Sequence, residues 1–335
     1  MKKTKFLIIR LSSIGDIVLT TPLIRCLKQQ VEHAEIHFVT KSKYGDLVLA
    51  NPYIDKIHFL DRHLGSLLQE LAREKPDYII DLHRNFRSFR IKRHLNLPSF
   101  SFNKLNVRKW LRVRFGIDLL PGVHVVDRYF ETVSTFGVRP DGKGLDYFIP
   151  VGKKYDFSRL PPDFFNGYIA FIIGGTYHTK RLPAGKVTAI CNQISCPVIL
   201  IGGKQEIPES LLICRETGHN VLNLTGKTSL SESADLIKNS KLVLTNDTGM
   251  MHIASAFGKK ILSFWGNTIP KLGMSPYQPH PSSKILEVEG LSCRPCSKLG
   301  FQNCPRRHFR CMNDLDENSA IDWIRTNIKA DQMQP

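Results

Sequence analysis

The sequence predicts an α/β protein made of two consecutive Rossmann-like domains, and three observations predict it. The chain has 335 residues, which suits two domains of about 150 residues better than one. Short apolar, β-rich runs alternate with amphipathic helical runs, the pattern of βαβ units on a parallel sheet. That alternation stops over residues 139–166 and then restarts, so the halves are drawn as residues 1–155 and 156–335.

In the first half the strand-like runs are 6–10, 36–40, 57–60 and 78–82. Helical runs cover 22–30 and 66–74, and a longer helical pattern, 125–136, closes the half. The segments PDGKG and LPPDFFNG within 139–166 are rich in Pro, Gly and Asp and read as the connection between domains. In the second half strands are predicted at 168–173, 198–201, 221–224, 242–245 and 261–264, and helices at 183–194, 209–216, 231–239 and 250–257. Ser229 followed by Glu232 has capping-box spacing. Ligands of open parallel sheets sit beyond the carboxyl ends of the strands. That rule selects the loops after Arg10, Ile173, Ile201 and Thr245, which two facing domains would turn toward a central cleft.

Composition excludes other classes. With 42% hydrophobic and 23% charged residues the chain is neither disordered nor fibrous. The start, MKKTKFLIIR, resembles a signal peptide, but Arg10 cuts the apolar run short and no small-residue cleavage site follows. No run of about 18 apolar residues is present, so a cytoplasmic protein is expected. The net charge of +17 implies an anionic partner: nucleic acid, a phospholipid surface or a phosphorylated substrate. Between His83 and Ile117 there are ten Lys/Arg and no Asp or Glu, interleaved with Phe86, Phe89, Phe102 and Trp110. This stretch suits nucleic acid, a phosphorylated glycolipid at a membrane face, or a plain solvated basic surface.

Four loops carry residue types suited to chemistry. In LSSIGD, 11–16, small residues let a ligand approach the backbone and Asp16 offers a carboxylate that can take a proton from a hydroxyl; it equally suits a helix N-terminus. In GGTYHTKRLP, 174–183, two glycines, Thr176, Lys180 and Arg181 precede a helix-starting proline, as in an anion site, although GxxxxGK[ST] is absent. In IGGKQE, 201–206, Glu206 is a candidate for a ribose hydroxyl or an ordinary surface acid. In TNDTGMMHIASAFG, 245–258, Asp247 and Thr248 are capping residues, Thr248 and Gly249 offer amides to a diphosphate, and His252 lies one turn into the helix. Cys293, Cys296, Cys304 and Cys311 run as C-x2-C-x7-C-x6-C; four thiolates can close a structural Zn site, and free thiols or a local disulfide are the alternatives.

Together these segments resemble glycosyltransferase family 9, the ADP-heptose:lipopolysaccharide heptosyltransferases. The resemblance is carried by RLSSIGDIVLTTPLIRCLK at 10–28, NPYIDKI at 51–57, GGT with KRLP at 174–183, NDTGMMHIASAFG at 246–258 and the cysteines at 293–311. It implies a GT-B architecture, with an N-terminal acceptor domain and a C-terminal donor domain. It further implies inverting transfer of heptose from ADP-heptose to a lipopolysaccharide core acceptor, with Asp16 as general base. The implied donor-binding residues are Thr176, Lys180, Asp247, Thr248, Gly249 and His252, with Glu206 beside them. No cofactor is required by that chemistry. Arg84, Arg87, Lys104, Lys109 and Arg128 are candidate acceptor contacts on charge grounds. Peripheral contact with the inner membrane surface is expected and nucleic acid is not. The family's aromatic in KRWP is Leu182 here. The alternatives are a GT-B enzyme using another nucleotide sugar and a non-catalytic binder of anionic glycolipid.

Overall fold

The computed structural model describes residues 3–61 and 63–332. The chain divides into two compact units, one formed by residues up to 104 with 123–152, the other by 105–122 with 153 onward.

In the first unit the elements run β1 (Thr4–Ile9), α1 (Ile14–Val18), α2 (Thr21–Gln30), β2 (Ala34–Thr40), β3 (Lys56–Phe59), α3 (Leu64–Glu74), β4 (Tyr78–Asp81), α4 (Phe86–Leu95) and β5 (Ser99–Ser101). After an excursion through α5 (Asn106–Phe115), which groups with the second unit, the chain returns as α6 (Val125–Phe130). The helical pattern expected over 125–136 is present but tightens to a 3-10 turn from Glu131. The five strands are parallel in the order β3-β2-β1-β4-β5. Phe6, Leu7, Ile8 and Ile9 of the central strand are wholly buried, which is why β1 reads as a continuous apolar run.

The stretch 139–146 is held by the first unit. Arg25 of α2 forms a two-pronged pair with Asp141 at 2.8 and 2.9 Å and a further pair with Asp146. The Asp146 amide donates to Thr21 Oγ1 at 2.9 Å. A segment that looked like a linker by composition is therefore pinned by a buried guanidinium.

The second unit contains β6 (Ile169–Ile172), α7 (Ala184–Asn192), β7 (Val198–Ile201), α8 (Ile207–Glu216), β8 (Val221–Asn223), α9 (Leu230–Asn239), β9 (Leu242–Asn246), α10 (Gly249–Ala256), β10 (Lys260–Trp265), β11 (Lys284–Glu287), α11 (Arg310–Asn313) and α12 (Glu317–Gln332). The strands are parallel in the order β11-β10-β9-β6-β7-β8. Alternation along each strand sends Phe171, Leu200, Leu244 and Phe264 into one core and Ala170, Ile199, Val243 and Ile261 into the other. Each large buried side chain of this kind contributes about 1.5–3 kcal/mol. Ser229 caps α9 as its spacing predicts, accepting from the Glu232 amide while its own amide donates to Glu232 Oε2.

In both sheets the strand order reverses beside the first strand, between β1 and β4 and between β6 and β9. These switch points open a crevice at the strands' carboxyl ends. There the fold places the loops after Ile9 and Asp81 in one unit and after Ile172 and Asn246 in the other. Among the described residues no helix is long and apolar enough to cross a membrane.

Candidate active site

In the first unit Asp16 sits in the first turn of α1, with its side chain 23% exposed. Its Oδ1 pairs with Arg10 Nη2 at 2.5 Å, and its Oδ2 accepts from Ser13 Oγ at 2.7 Å and from the Ser13 amide at 3.1 Å. Burial by itself pushes this carboxyl upward, but the charge of Arg10 and the Ser13 hydrogen bonds overcome it and hold Asp16 below the ordinary aspartate range. Arg10 is itself oriented. Its Nε donates to the Ser12 carbonyl at 2.8 Å, and its Nη1 reaches the Leu82 carbonyl and Tyr129 Oη.

The loop after β4 is built on Asp81, which is wholly buried. Its Oδ1 accepts from the amides of His83 (3.0 Å) and Arg84 (2.7 Å), and its Oδ2 from Ser88 Oγ (2.9 Å), with Lys92 Nζ at 3.1 Å. These bonds stabilise a left-handed backbone at Arg84, φ 47°. His83 is pushed down to about 4 by burial first, then by the charges of Arg10 and Lys104, so its imidazole is neutral at pH 7. Its Nδ1 is buried and makes no hydrogen bond.

Next to this loop the segment 102–104 is clamped by two guanidiniums. Arg84 Nη1 donates to the Phe102 carbonyl at 3.3 Å and Arg128 Nη1 to the Asn103 carbonyl at 2.9 Å. Arg128 is only 3% exposed, yet its Nε and Nη2 meet no acceptor among the described residues. Burial lowers its proton affinity more than nearby Tyr129, Glu131 and Asp127 restore it. A desolvated guanidinium with an open two-nitrogen edge matches a carboxylate or phosphate. Lys104, half-buried, is lowered by burial and by Arg10, and feels Asp16, Asp81 and Arg84 as well.

In the second unit the loops after β6, β7 and β9 meet. Asn246, wholly buried, ties the loop after β6 to the end of β9: its Nδ2 donates to the carbonyls of Ile173 (3.1 Å) and Gly174 (3.2 Å), and its Oδ1 accepts from the Leu182 amide at 3.0 Å. A Cβ on Gly175 would stand 3.5 Å from Thr248 Cγ2, and one on Gly174 3.4 Å from Glu206 Oε2. Lys180 Nζ lies 2.6 Å from Asp247 Oδ2, which also accepts from Thr268 Oγ1 at 2.7 Å. Asp247 is therefore not a helix cap. The cap position of α10 is Thr248, whose side chain makes no capping bond and whose Oγ1 is buried without a partner. The first amides of α10 lack a side-chain cap, and a helix N-terminus of this kind attracts negative charge. His252, 3% exposed, lies in the first turn beyond.

Other expected residues find different surroundings. Glu206 is occupied: Oε1 pairs with Arg181 Nη2 at 2.5 Å and Oε2 accepts from the Gly203 amide at 2.8 Å. Arg181 Nε in turn donates to the Gly175 carbonyl at 2.7 Å, so Glu206 shapes the glycine turn through Arg181. Thr176 is exposed, and its carbonyl accepts from Gln302 Nε2 at 3.2 Å. Leu182 fills the core where the family's aromatic is expected. Arg87 is exposed on α4, and Lys109 lies on α5, grouped with the second unit rather than with Arg84, Lys104 and Arg128. Arg10, Asp81, His83, Asn246 and Thr268 were not anticipated. The one signal for them was position, since each lies at or just past the carboxyl end of a central strand.

All eight cysteines are free thiols. Cys293 Sγ lies 3.8 Å from His308 Nε2, and Cys296 Sγ donates to the Cys293 carbonyl. Among the described residues no three His, Cys, Asp or Glu side chains are gathered closely enough to hold a metal. A zinc ion at Cys293, Cys296, Cys304 and Cys311 would require the thiols to close in on it.

Comparison with known proteins bears on this geometry. The chain is similar over 94% of its length to lipooligosaccharide heptosyltransferase 2 of Campylobacter jejuni, at 24% identity and covering 96% of that protein. Its fold resembles that of a family 9 glycosyl transferase from Veillonella parvula, with TM-score 0.77, 22% identity and 98% of each chain covered. It also resembles the ADP-heptose LPS heptosyltransferase II of E. coli, with TM-score 0.74, 18% identity, and 98% of this chain and 99% of that one covered. These are two-unit GT-B folds, and the two parallel-sheet units described above have that architecture. The model of glycosyltransferase family 9 (heptosyltransferase) matches residues 64–301. That match runs from α3 of the first unit past the last strand of the second, and the chain accordingly belongs to glycosyltransferase family 9, the heptosyltransferases.

Proposed function

We propose that the protein transfers heptose from ADP-heptose to a lipopolysaccharide core acceptor, with inversion at the anomeric carbon. The observation that carries this reading is the cradle of the second unit: Lys180 held on buried Asp247, beside the uncapped start of α10. The leaving ADP gains negative charge as the glycosidic bond breaks. Preorganised amides and an ammonium stabilise that charge in the transition state more than in the ground state. Thr176, Thr248, Gly249 and His252 would line the same ligand, and Glu206 would act by holding the glycine turn. The acceptor hydroxyl would lose its proton to Asp16, which is ionised at neutral pH. The relatives named above act on lipooligosaccharide or LPS by name, and an acceptor of that kind is anionic, matching Arg128, Lys104 and Arg84. Catalysis would take place in the cytoplasm, with peripheral contact at the inner membrane surface. Every step is assigned to protein groups.

Calorimetric titration with ADP and UDP, followed by transfer from ADP-heptose to a heptose-deficient core acceptor, tests this. ADP is expected to bind at least tenfold tighter than UDP, and the product to carry the inverted configuration by NMR. Preference for UDP would assign another donor, and retained configuration would remove the single displacement.

Arg128→Met keeps the bulk of the side chain and removes its charge. The variant is expected to raise the acceptor KM about tenfold or more while ADP affinity stays constant. A buried cation without a counter-ion costs several kcal/mol, so the free variant should melt at or above the wild-type temperature. Lower Tm with unchanged acceptor KM would show instead that Arg128 is a structural clamp on residue 103.

A further inference from the structure

We propose that α5 is a membrane-surface anchor that lies in the headgroup region of an anionic phospholipid bilayer. None of the ten residues of α5 is buried. Val107 (70%), Trp110 (52%) and Phe115 (58%) are exposed, and Ile117 and Leu119 continue the apolar surface past the helix. At the helical repeat of 100° per residue, Val107, Trp110, Leu111, Val113 and Phe115 share one broad side, with Arg114 set within it. Arg108, Lys109 and Arg112 take the other. The Trp110 and Phe115 rings meet edge to face at 5.2 Å, forming one aromatic ridge. Arg112 Nη1 closes the helix end on the Gly116 carbonyl at 2.7 Å.

Leu111 and Val113 are only partly covered and no residue of α5 is fully buried, so the helix gains little stability from a core and its exposed apolar side calls for a partner. The chemistry of that partner follows from the charges. Residues 83–117 contain no carboxylate, so the apolar ridge of the helix is rimmed by cations, and the carboxylate that follows, Asp118, is paired with Lys271. An anionic lipid surface satisfies both features: aromatic rings settle at the level of the headgroups, and each nearby cation adds about 1 kcal/mol of attraction. Ten residues are far too few to span the bilayer, so α5 would lie along it. This rests on the reading that the acceptor is a lipid-linked glycan, because an enzyme held at the surface meets such an acceptor there.

The fold supplies its own probe. The other two tryptophans, Trp265 and Trp323, are buried, so a shift in emission on adding vesicles reports Trp110. The full chain is mixed with phosphatidylglycerol vesicles and with phosphatidylcholine vesicles, and sedimentation and tryptophan emission are followed. Co-sedimentation with a blue shift on the anionic vesicles alone is the expected result, weakened by salt. Trp110→Ser with Phe115→Ser should reduce vesicle binding roughly tenfold, and Arg108→Gln with Arg114→Gln by a similar factor. All four positions are solvent-facing, so ADP affinity and transfer to a delipidated acceptor should be unchanged. Loss of activity on that soluble acceptor would point to the catalytic reading rather than to the anchor. Binding to anionic vesicles without a blue shift would place the contact elsewhere and overturn the proposal. So would equal binding to both vesicle types, a preference for single-stranded nucleic acid, or self-association through α5 without vesicle binding.

Discussion

Asp16→Asn is expected to lower the rate of transfer by about 10²–10⁴-fold, the usual contribution of a positioned base, while ADP affinity stays within twofold. Asparagine keeps the shape of the side chain and can still accept from Ser13, but it takes no proton from the acceptor. It also leaves Arg10 without its carboxylate. Arg10 retains the Ser12 and Leu82 carbonyls and Tyr129, and Asp16 is partly exposed, so only a modest loss of stability is expected. The same geometry predicts the pH profile. The folded carboxyl is held below the ordinary value of about 3.9, so activity should show no acid limb from Asp16 between pH 5 and 8. Removing Arg10 as Arg10→Met deletes the charge that most strongly lowers the pKa and leaves burial, which raises it, opposed only by the Ser13 hydrogen bonds. The acid limb should then move upward from its wild-type position. A flat profile in Arg10→Met, or turnover in Asp16→Asn close to wild type, would remove Asp16 from the role of base.

This pair also shows where the sequence runs out. The loop that carries Asp16 was legible because an apolar strand, small residues and a helix start follow one another. Its partner Arg10 was visible only as the charge that ends an apolar run. Nothing in local patterning says that a guanidinium six residues upstream turns back onto that carboxylate. Asn246 is a similar case: it reads as the end of a strand, whereas its importance is that one amide satisfies three backbone groups of the loop after β6. For Glu206 the sequence leaves a ribose contact and an ordinary surface acid open, and it does not show the arginine that pairs with that carboxylate. Helices α4 and α5 were missed for a physical reason. The cations of α4 recur on most faces, and α5 has no buried residue to mark a core-facing side. The central strands, buried on both faces, announced themselves, whereas the exposed edge strands β5 and β11 did not.

Lys180→Ala is expected to weaken ADP-heptose binding and lower kcat together, by about 10²–10³-fold in kcat/KM, since a charge-assisted contact to a leaving diphosphate is strongest as that charge develops. The loss has two parts, and the structure separates them. One is the missing ammonium. The other is Asp247, 7% exposed, which without Lys180 keeps the Thr268 hydroxyl and presents a buried carboxylate to an incoming diphosphate. Like charges in a desolvated site repel strongly. Asp247→Asn placed on Lys180→Ala should therefore recover part of the affinity, about tenfold, although Asp247→Asn alone should be harmful because it frees Lys180 from its anchor. The double-mutant cycle for ADP binding would then show strong coupling between two residues 67 positions apart. Additive losses would mean that Lys180 meets the donor without help from Asp247, and unchanged affinity in Lys180→Ala would place the diphosphate away from this cradle altogether.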